Sequence, residues 1–331
     1  MEKLKIGVIG TGHLGKLHTK MFSEISNCEL AGIYDANIEQ AKSVGKEFGV
    51  TVFESIEELL NSVNAVSVAA TTRAHYELVK QSLQKNRHVF VEKPITATIL
   101  EAEEVVKLSN DKNLNLQVGH IERFNPALIS LEKYIIQPMF IQTDRLAQFN
   151  PRGTDVAVVL DLMIHDIDII LSLVNSEVKN IDASGVAVVS DTIDIANARI
   201  QFENGAVANV TASRISQKKM RKMRIFQRDN YLSLDFITGV SEVFRLTPVE
   251  EKVDTSSISF GEIGVGEKKK RIIYEQPEIR EINALKYELE LFVNSILAKQ
   301  KPIVSGEDGL RALKVAEIIL QKIDESKEYI K

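Results

Sequence analysis

Six residues, Gly10-Thr-Gly-His-Leu-Gly15, restrict this chain more than any others. They stand between a short apolar run over 4–9 and an amphipathic stretch over 14–25. A Gly-x-Gly-x-x-Gly pattern placed between strand and helix turns the chain sharply and lets its backbone approach a pyrophosphate. The spacing assigns Gly10 to the turn, Gly12 to the close approach and Gly15 to helix–strand packing, with Thr11, His13 and Leu14 completing the cradle. The helix start adds unpaired N–H groups and a favourable dipole. About 20 residues further on, where such a fold uses an acid to accept from an adenosine ribose, Asp35 ends the next apolar run. No arginine adjoins it, and a carboxylate repels a 2′-phosphate, so NAD is expected in preference to NADP.

Short β-branched runs at 5–9, 29–34, 65–69, 89–91 and 116–118 alternate with helical patterns at 14–25, 38–48, 74–84 and 99–110. Strands and helices alternating at these lengths imply a parallel, doubly wound sheet. The pattern changes after Asn125-Pro126. A helix is predicted over 156–173, then strands at 195–202, 206–212, 224–227, 231–236 and 271–274, with Asn204-Gly205 as a hairpin turn. The Ser- and Gly-rich 254–266 reads as a surface loop, followed by a helix over 282–298 and another from Ser305, where Ser305-Gly-Glu-Asp308 has the form of a capping box. The expected fold class is α/β: an N-terminal Rossmann doubly wound parallel sheet over 1–122, then a C-terminal α+β domain with a mostly antiparallel sheet over 123–331, the last helix free to pack back on the first domain.

A length of 331 residues suits two such domains. The net charge of −5 argues against nucleic-acid and anionic-membrane partners. The basic cluster from Lys218 to Arg224 reads first as a solvated loop or strand edge and second as a contact for a substrate phosphate. Cys28 is the single cysteine, which excludes a disulfide framework and a zinc spacing. No stretch approaches the roughly 20 apolar residues of a membrane span, and no signal segment precedes the first strand; a cytoplasmic location is expected.

The run Val89-Phe-Val-Glu-Lys-Pro-Ile95 ends an apolar strand in a charged pair. Such a pair costs desolvation unless a site uses it, and ligands of open α/β sheets bind at the carboxyl ends of strands. Lys93 is thus a catalytic candidate beside a nucleotide. With Thr71-Thr72-Arg73-Ala74-His75, Gly119-His-Ile-Glu-Arg-Phe-Asn-Pro126 and Asp161-x-x-x-His165-Asp166 in the same order, the chain resembles the Gfo/Idh/MocA family of oxidoreductases over nearly its whole length. The resemblance implies that Lys93 and His165 meet across a cleft near the nicotinamide and the carbon to be oxidised. His165 then takes the hydroxyl proton, Lys93 polarises the oxygen or relays the proton, and either can be the base. Asp161, one helical turn before His165, positions substrate or base. The resemblance further implies that Ala70, Thr71, Thr72 and His75 form a cofactor-binding turn, although Thr72-Arg73 stand where members often carry Pro-Asn. His75 read alone could instead cap the next helix. Glu92 contacts the cofactor or orients Lys93, and Lys93–Pro94 is expected to be cis. The family chemistry needs no metal, so none is assigned to Asp161, His165 and Asp168, and Asp166 and Asp168 are read as structural partners.

The segment Gly119–Pro126 resembles the subgroup that oxidises nucleotide-linked amino sugars at C3, of the UDP-N-acetylglucosamine type. Arg123, Asn125 and Arg152 join Asp161 and His165 as substrate candidates, Arg152 because a guanidinium fork suits phosphate. Alternatives are an oxidoreductase on a free sugar or polyol of the inositol type, or a catalytically silent dinucleotide-binding protein. The alternating strands of 195–236 predict an antiparallel sheet with one face covered by a second subunit, giving a homodimer or homotetramer.

Overall fold

The computed structural model describes residues 3–150, 156–250 and 258–327. It divides into two compact units, residues 1–121 with 282–314 and residues 122–281 with 315–331. In the first, β1 (Leu4–Ile9), β2 (Cys28–Tyr34), β3 (Ala65–Val68), β4 (His88–Glu92) and β5 (Leu116–Gly119) form a parallel sheet in the order β2-β1-β3-β4-β5. Strand order reverses between β1 and β3, the place where such sheets open a crevice beyond their carboxyl ends. The helices α1 (His13–Glu24), α2 (Ile38–Phe48), α3 (Ile56–Ser62), α4 (Thr72–Gln84) and α5 (Ile99–Asp111) connect these strands. Their starts are written locally. Asn37 and Ser55 cap α2 and α3, and Thr98 with Glu101 makes a reciprocal capping box on α5.

One helix expected in the second domain groups with this sheet. Along α8 (Ala284–Leu297), Leu289, Phe292 and Val293 join Leu4, Ile6, Phe22 and Phe90 in one buried cluster, with the Phe90 and Phe292 rings 5.8 Å apart. The closing helix α9 (Gly306–Lys327) starts as its sequence indicates: Ser305 N–H donates to Asp308, whose own N–H donates to Ser305 Oγ.

The second unit opens with a 3₁₀ turn at Ile121–Phe124 and the short α6 (Pro126–Ile129). Its sheet is β6 (Phe140–Leu146), β7 (Val178–Val186), β8 (Ile195–Phe202), β9 (Val207–Ser213), β10 (Met220–Gln227), β11 (Asn230–Asp235), β12 (Val240–Pro248), β13 (Ile258–Ile263) and β14 (Lys270–Glu275). The order is β13-β14-β12-β11-β10-β6-β9-β8-β7, antiparallel except for the β6–β9 pair. A π turn at Val159–Met163 leads into α7 (Ile164–Leu173), which packs on β6 and β9. On the less buried face, Phe140, Phe226, Tyr231, Phe244 and Tyr274 stand directly opposite one another on five adjacent strands. Their neighbouring rings are 4.9–6.0 Å apart, close enough for aromatic cross-strand pairing.

Two expectations fail here. The basic cluster is a solvated loop only at Lys218 and Lys219 and is no strand edge beyond them, since β10 lies between β6 and β11 and alternation buries Met223 and Ile225. The expected loop 254–266 contains the exposed strand β13, paired with β14 and irregular between Ser259 and Glu262, near Gly261 at φ 106°. A lone strand at a sheet edge can tolerate Ser and Gly because one side of it is never packed.

Candidate active site

Gly10 turns at φ 88°, and a Cβ there would meet the Ala69 carbonyl at 2.8 Å. Gly15 is as constrained, because its Cβ would lie 1.8 Å from the Gly10 carbonyl oxygen. Gly12 instead faces open space, and no side chain caps α1. Beside this turn lies a cleft of about 550 Å³ lined by Gly10, Gly12, His13, Leu14, Asp35, Ala70 and Thr71, among others. A glycine open on the cleft side and an uncapped helix start together suit the pyrophosphate of a dinucleotide.

Asp35 does more than wait for a ribose. Thr11 donates to its Oδ2 through both N–H (2.6 Å) and Oγ1 (3.0 Å), and Asn37 N–H donates to Oδ1 (2.8 Å). A carboxylate accepts about four hydrogen bonds, so these three leave room for a ribose hydroxyl while the charge still opposes a 2′-phosphate. Cofactor-turn residues Thr72 and His75 do not line the cleft. His75 is buried, with Nδ1 2.9 Å from the Pro94 carbonyl oxygen and Nε2 3.1 Å from that of Ala70. Burial lowers its pKa, against the pull of those carbonyls.

At the end of β4, Lys93 is half-buried between the buried Glu92 and Pro94, and the Lys93–Pro94 bond is cis. Glu92 Oε2 accepts from the Lys93 N–H (3.3 Å), and Oε1 lies 3.0 Å from His18 Nε2. Burial would raise the Glu92 carboxyl, but the hydrogen bond and charge of His18, with the charge of Lys93, hold it below its ordinary value. Sequence reasoning missed His18. The available signal was its place on the inner face of α1, with Gly15, Met21 and Phe22.

In the second unit, Asp161 sits in the π turn and the half-buried His165 in the first turn of α7. The expectation of a regular helix over 156–173 is therefore corrected. A π turn widens the helix and re-aims side chains, often at functional sites. Asp161 lines a pocket of about 290 Å³ together with Gln148, Asn150, Arg214, Lys219 and Arg221. Arg221 shares the strand face of the buried Met223 and Ile225, which turns it inward toward this pocket.

Other substrate candidates are engaged elsewhere. The Arg123 fork donates to both Asp168 oxygens (2.6 and 2.8 Å). Asn125 caps α6 through Oδ1, and its Nδ2 donates to Glu122 and to the Phe236 carbonyl. Arg152 lies outside the described residues. Unforeseen is the buried Arg145, which donates to both Asp166 oxygens and to Glu122, with Arg221 also donating to Glu122. Among the described residues no three His, Cys, Asp or Glu side chains cluster as metal ligands, and no helix is long and apolar enough to cross a membrane.

Comparison with known proteins follows this division. Residues 4–120 match a family model described as an oxidoreductase family with an NAD-binding Rossmann fold, and residues 140–231 match the GFO/IDH/MocA C-terminal domain. The chain is 35% identical over 321 residues to UDP-N-acetylglucosamine 3-dehydrogenase of Acidithiobacillus ferrooxidans, covering 96% of each. It superposes on a solved structure of that enzyme with a TM-score of 0.87 at 33% identity, covering 98% of this chain and 99% of the other. Myo-inositol 2-dehydrogenase of Thermotoga maritima is 23% identical over 343 residues, 98% of this chain and 97% of the relative. Levoglucosan dehydrogenase, solved with NADH and levoglucosan, shares the fold at a TM-score of 0.82 and 18% identity, covering 98% of each chain.

Proposed function

The chain belongs to the GFO/IDH/MocA family of NAD-binding oxidoreductases, and on that premise we propose that it oxidises a secondary hydroxyl of a nucleotide-linked amino sugar, of the UDP-N-acetylglucosamine C3 type. The observation that carries this reading is the pocket that puts Asp161 beside Arg214, Lys219 and Arg221. Arg214 is held by Asp194 and the Val156 carbonyl; a free polyol offers hydroxyls to a carboxylate but nothing for the exposed Lys219 and Arg221, whereas a nucleotide sugar brings a diphosphate within reach of its sugar ring. Guanidinium forks and an ammonium suit phosphate oxygens. The similarity to the Acidithiobacillus enzyme supports the same substrate class.

NAD, when bound, supplies the acceptor for the hydride leaving the carbinol carbon. The chain's own groups do the rest. Gly10, Gly12 and the open start of α1 hold the pyrophosphate, and Asp35 accepts from the adenosine ribose. Lys93 polarises the reacting hydroxyl, His165 takes its proton and Asp161 orients the sugar. The lone Cys28 is buried, and burial pushes its thiol up to about 11, which leaves it unreactive.

The test follows absorbance of reduced NAD with UDP-N-acetylglucosamine, N-acetylglucosamine and myo-inositol. The UDP-linked sugar should lead the free sugar in kcat/KM by a hundredfold or so, since remote binding energy serves turnover. Arg221→Ala should raise KM for the UDP-linked sugar by about tenfold, the scale of one charge-assisted hydrogen bond. A preference for myo-inositol would overturn the reading.

A further inference from the structure

We propose that two buried histidines, His18 and His75, are positioning residues for Lys93, holding the Glu92-Lys93-Pro94 strand end from either side. The inference rests on the reading of Lys93 as the group that polarises the reacting hydroxyl or relays its proton, and goes beyond it, because neither histidine lines the cofactor cleft.

Lys93 is half-buried, whereas Glu92 before it and Pro94 after it are buried. Each neighbour meets one imidazole, and the other nitrogen of each ring faces a group on β3 or at its exit. On the Glu92 side, His18 Nε2 is 3.0 Å from Oε1 and His18 Nδ1 is 2.7 Å from Ser67 Oγ, on β3. On the Pro94 side, His75 spans from the Pro94 carbonyl to the Ala70 carbonyl, two residues past β3. Ala70 itself lines the cleft. Lys93 is therefore tied through Glu92 and His18 to the strand that borders the cofactor site, and His75 holds the Pro94 carbonyl on its other side.

His18 Nε2–H donates to the Glu92 carboxylate, and Nδ1 and the Ser67 hydroxyl share the second hydrogen bond, so each of the three buried groups has a partner. The carboxylate's other oxygen accepts from the Lys93 N–H, so its orientation passes directly to the Lys93 backbone. At His75 a neutral ring donates to one carbonyl only, and the shorter contact is to Pro94. Packing alone does not call for these side chains. The buried face of α1 also carries Gly15, Thr19, Met21 and Phe22, and an apolar residue at position 18 would leave Glu92 Oε1 and the Ser67 hydroxyl without their partner.

The experiment compares His18→Phe, His18→Gln, His75→Gln and Ser67→Ala with the unmodified holoenzyme. Three readouts are taken: kcat, NAD affinity by calorimetry, and the acylation rate of Lys93 by peptide mass spectrometry, which needs no substrate. Small misplacements of a catalytic group cost up to about a hundredfold, so His18→Phe should lower kcat by tenfold to a hundredfold with NAD affinity within about twofold. It should also change the Lys93 acylation rate by at least about threefold, while Gln, which keeps a donor for Glu92, restores most of both. Ser67→Ala leaves the ring in place and should show a smaller change in the same direction, which keeps the proposal testable if His18→Phe does not fold. Unchanged Lys93 acylation in folded His18 and Ser67 variants would overturn it, as would equal damage in Phe and Gln variants accompanied by lost NAD affinity. Normal turnover in Lys93→Met would instead remove the acid–base reading, with the acylation rates still deciding the positioning role.

Discussion

Lys93 and His165 are expected to serve one proton transfer. Lys93→Met and His165→Ala should each lower turnover by about a hundredfold or more, and the double variant should be scarcely worse than the poorer single one. NAD affinity should be nearly unchanged in His165→Ala, and near-normal turnover in that variant would leave Lys93 as the acid–base group. Glu92 gives a second expectation, in stability. Its carboxyl is held below the ordinary value, and a group depressed on folding stabilises the fold above its unfolded value and ceases to as pH falls through the folded one. The melting-temperature advantage of the unmodified protein over Glu92→Gln should be full at neutral pH and shrink as pH drops below the ordinary carboxyl value of 4.5; a constant gap would refute this. Legibility at this scale followed distance along the chain. The steric roles of Gly10 and Gly15 could be read because they arise within one strand–turn–helix unit. Arg123 and Asn125 could not, because the groups that engage them, Asp168 and the Phe236 carbonyl, lie 45 and 111 residues away.

The strand–helix alternation over β1–β5 was readable because β3, β4 and β5 are buried on both faces, and with most of β1 they show as apolar runs. The second sheet was only partly readable. Strands β6, β7 and β12 alternate half-buried with buried or exposed positions, which blurs their apolar signal, and Lys218–Arg224 masked the interior strand β10. The π turn escaped because its extra residue leaves the apolar content of the segment unchanged. The element that tolerates least change is the β1–α1 turn. Gly15→Ala would place a methyl group 1.8 Å from the Gly10 carbonyl oxygen, so the turn must open. Calorimetry should then show NAD binding weakened by tenfold or more, a loss of over about 1.4 kcal/mol, and unchanged affinity would contradict the assignment of this turn to the pyrophosphate.

At the scale of the molecule, the aromatic row on the nine-stranded sheet is the surface on which a second subunit is expected. Phe226, second in that row, is 40% exposed, and a contiguous apolar patch of this kind marks an interaction surface. Light scattering at micromolar concentration should report a homodimer or homotetramer, and Phe226→Glu should shift it toward monomer; a monomeric unmodified protein would refute the assignment. The return of residues 282–314 to the first unit bears on how the chain is made. A ribosome releases all five parallel strands long before Leu289, Phe292 and Val293 exist to cover Phe22 and Phe90. While residues 122–281 are synthesised, that half-finished sheet must persist with an apolar flank open to water, a state prone to aggregation. A gene fragment ending at residue 121 would keep that flank uncovered, so the piece that holds the whole Gly10–Gly15 turn is expected to aggregate where the full chain does not.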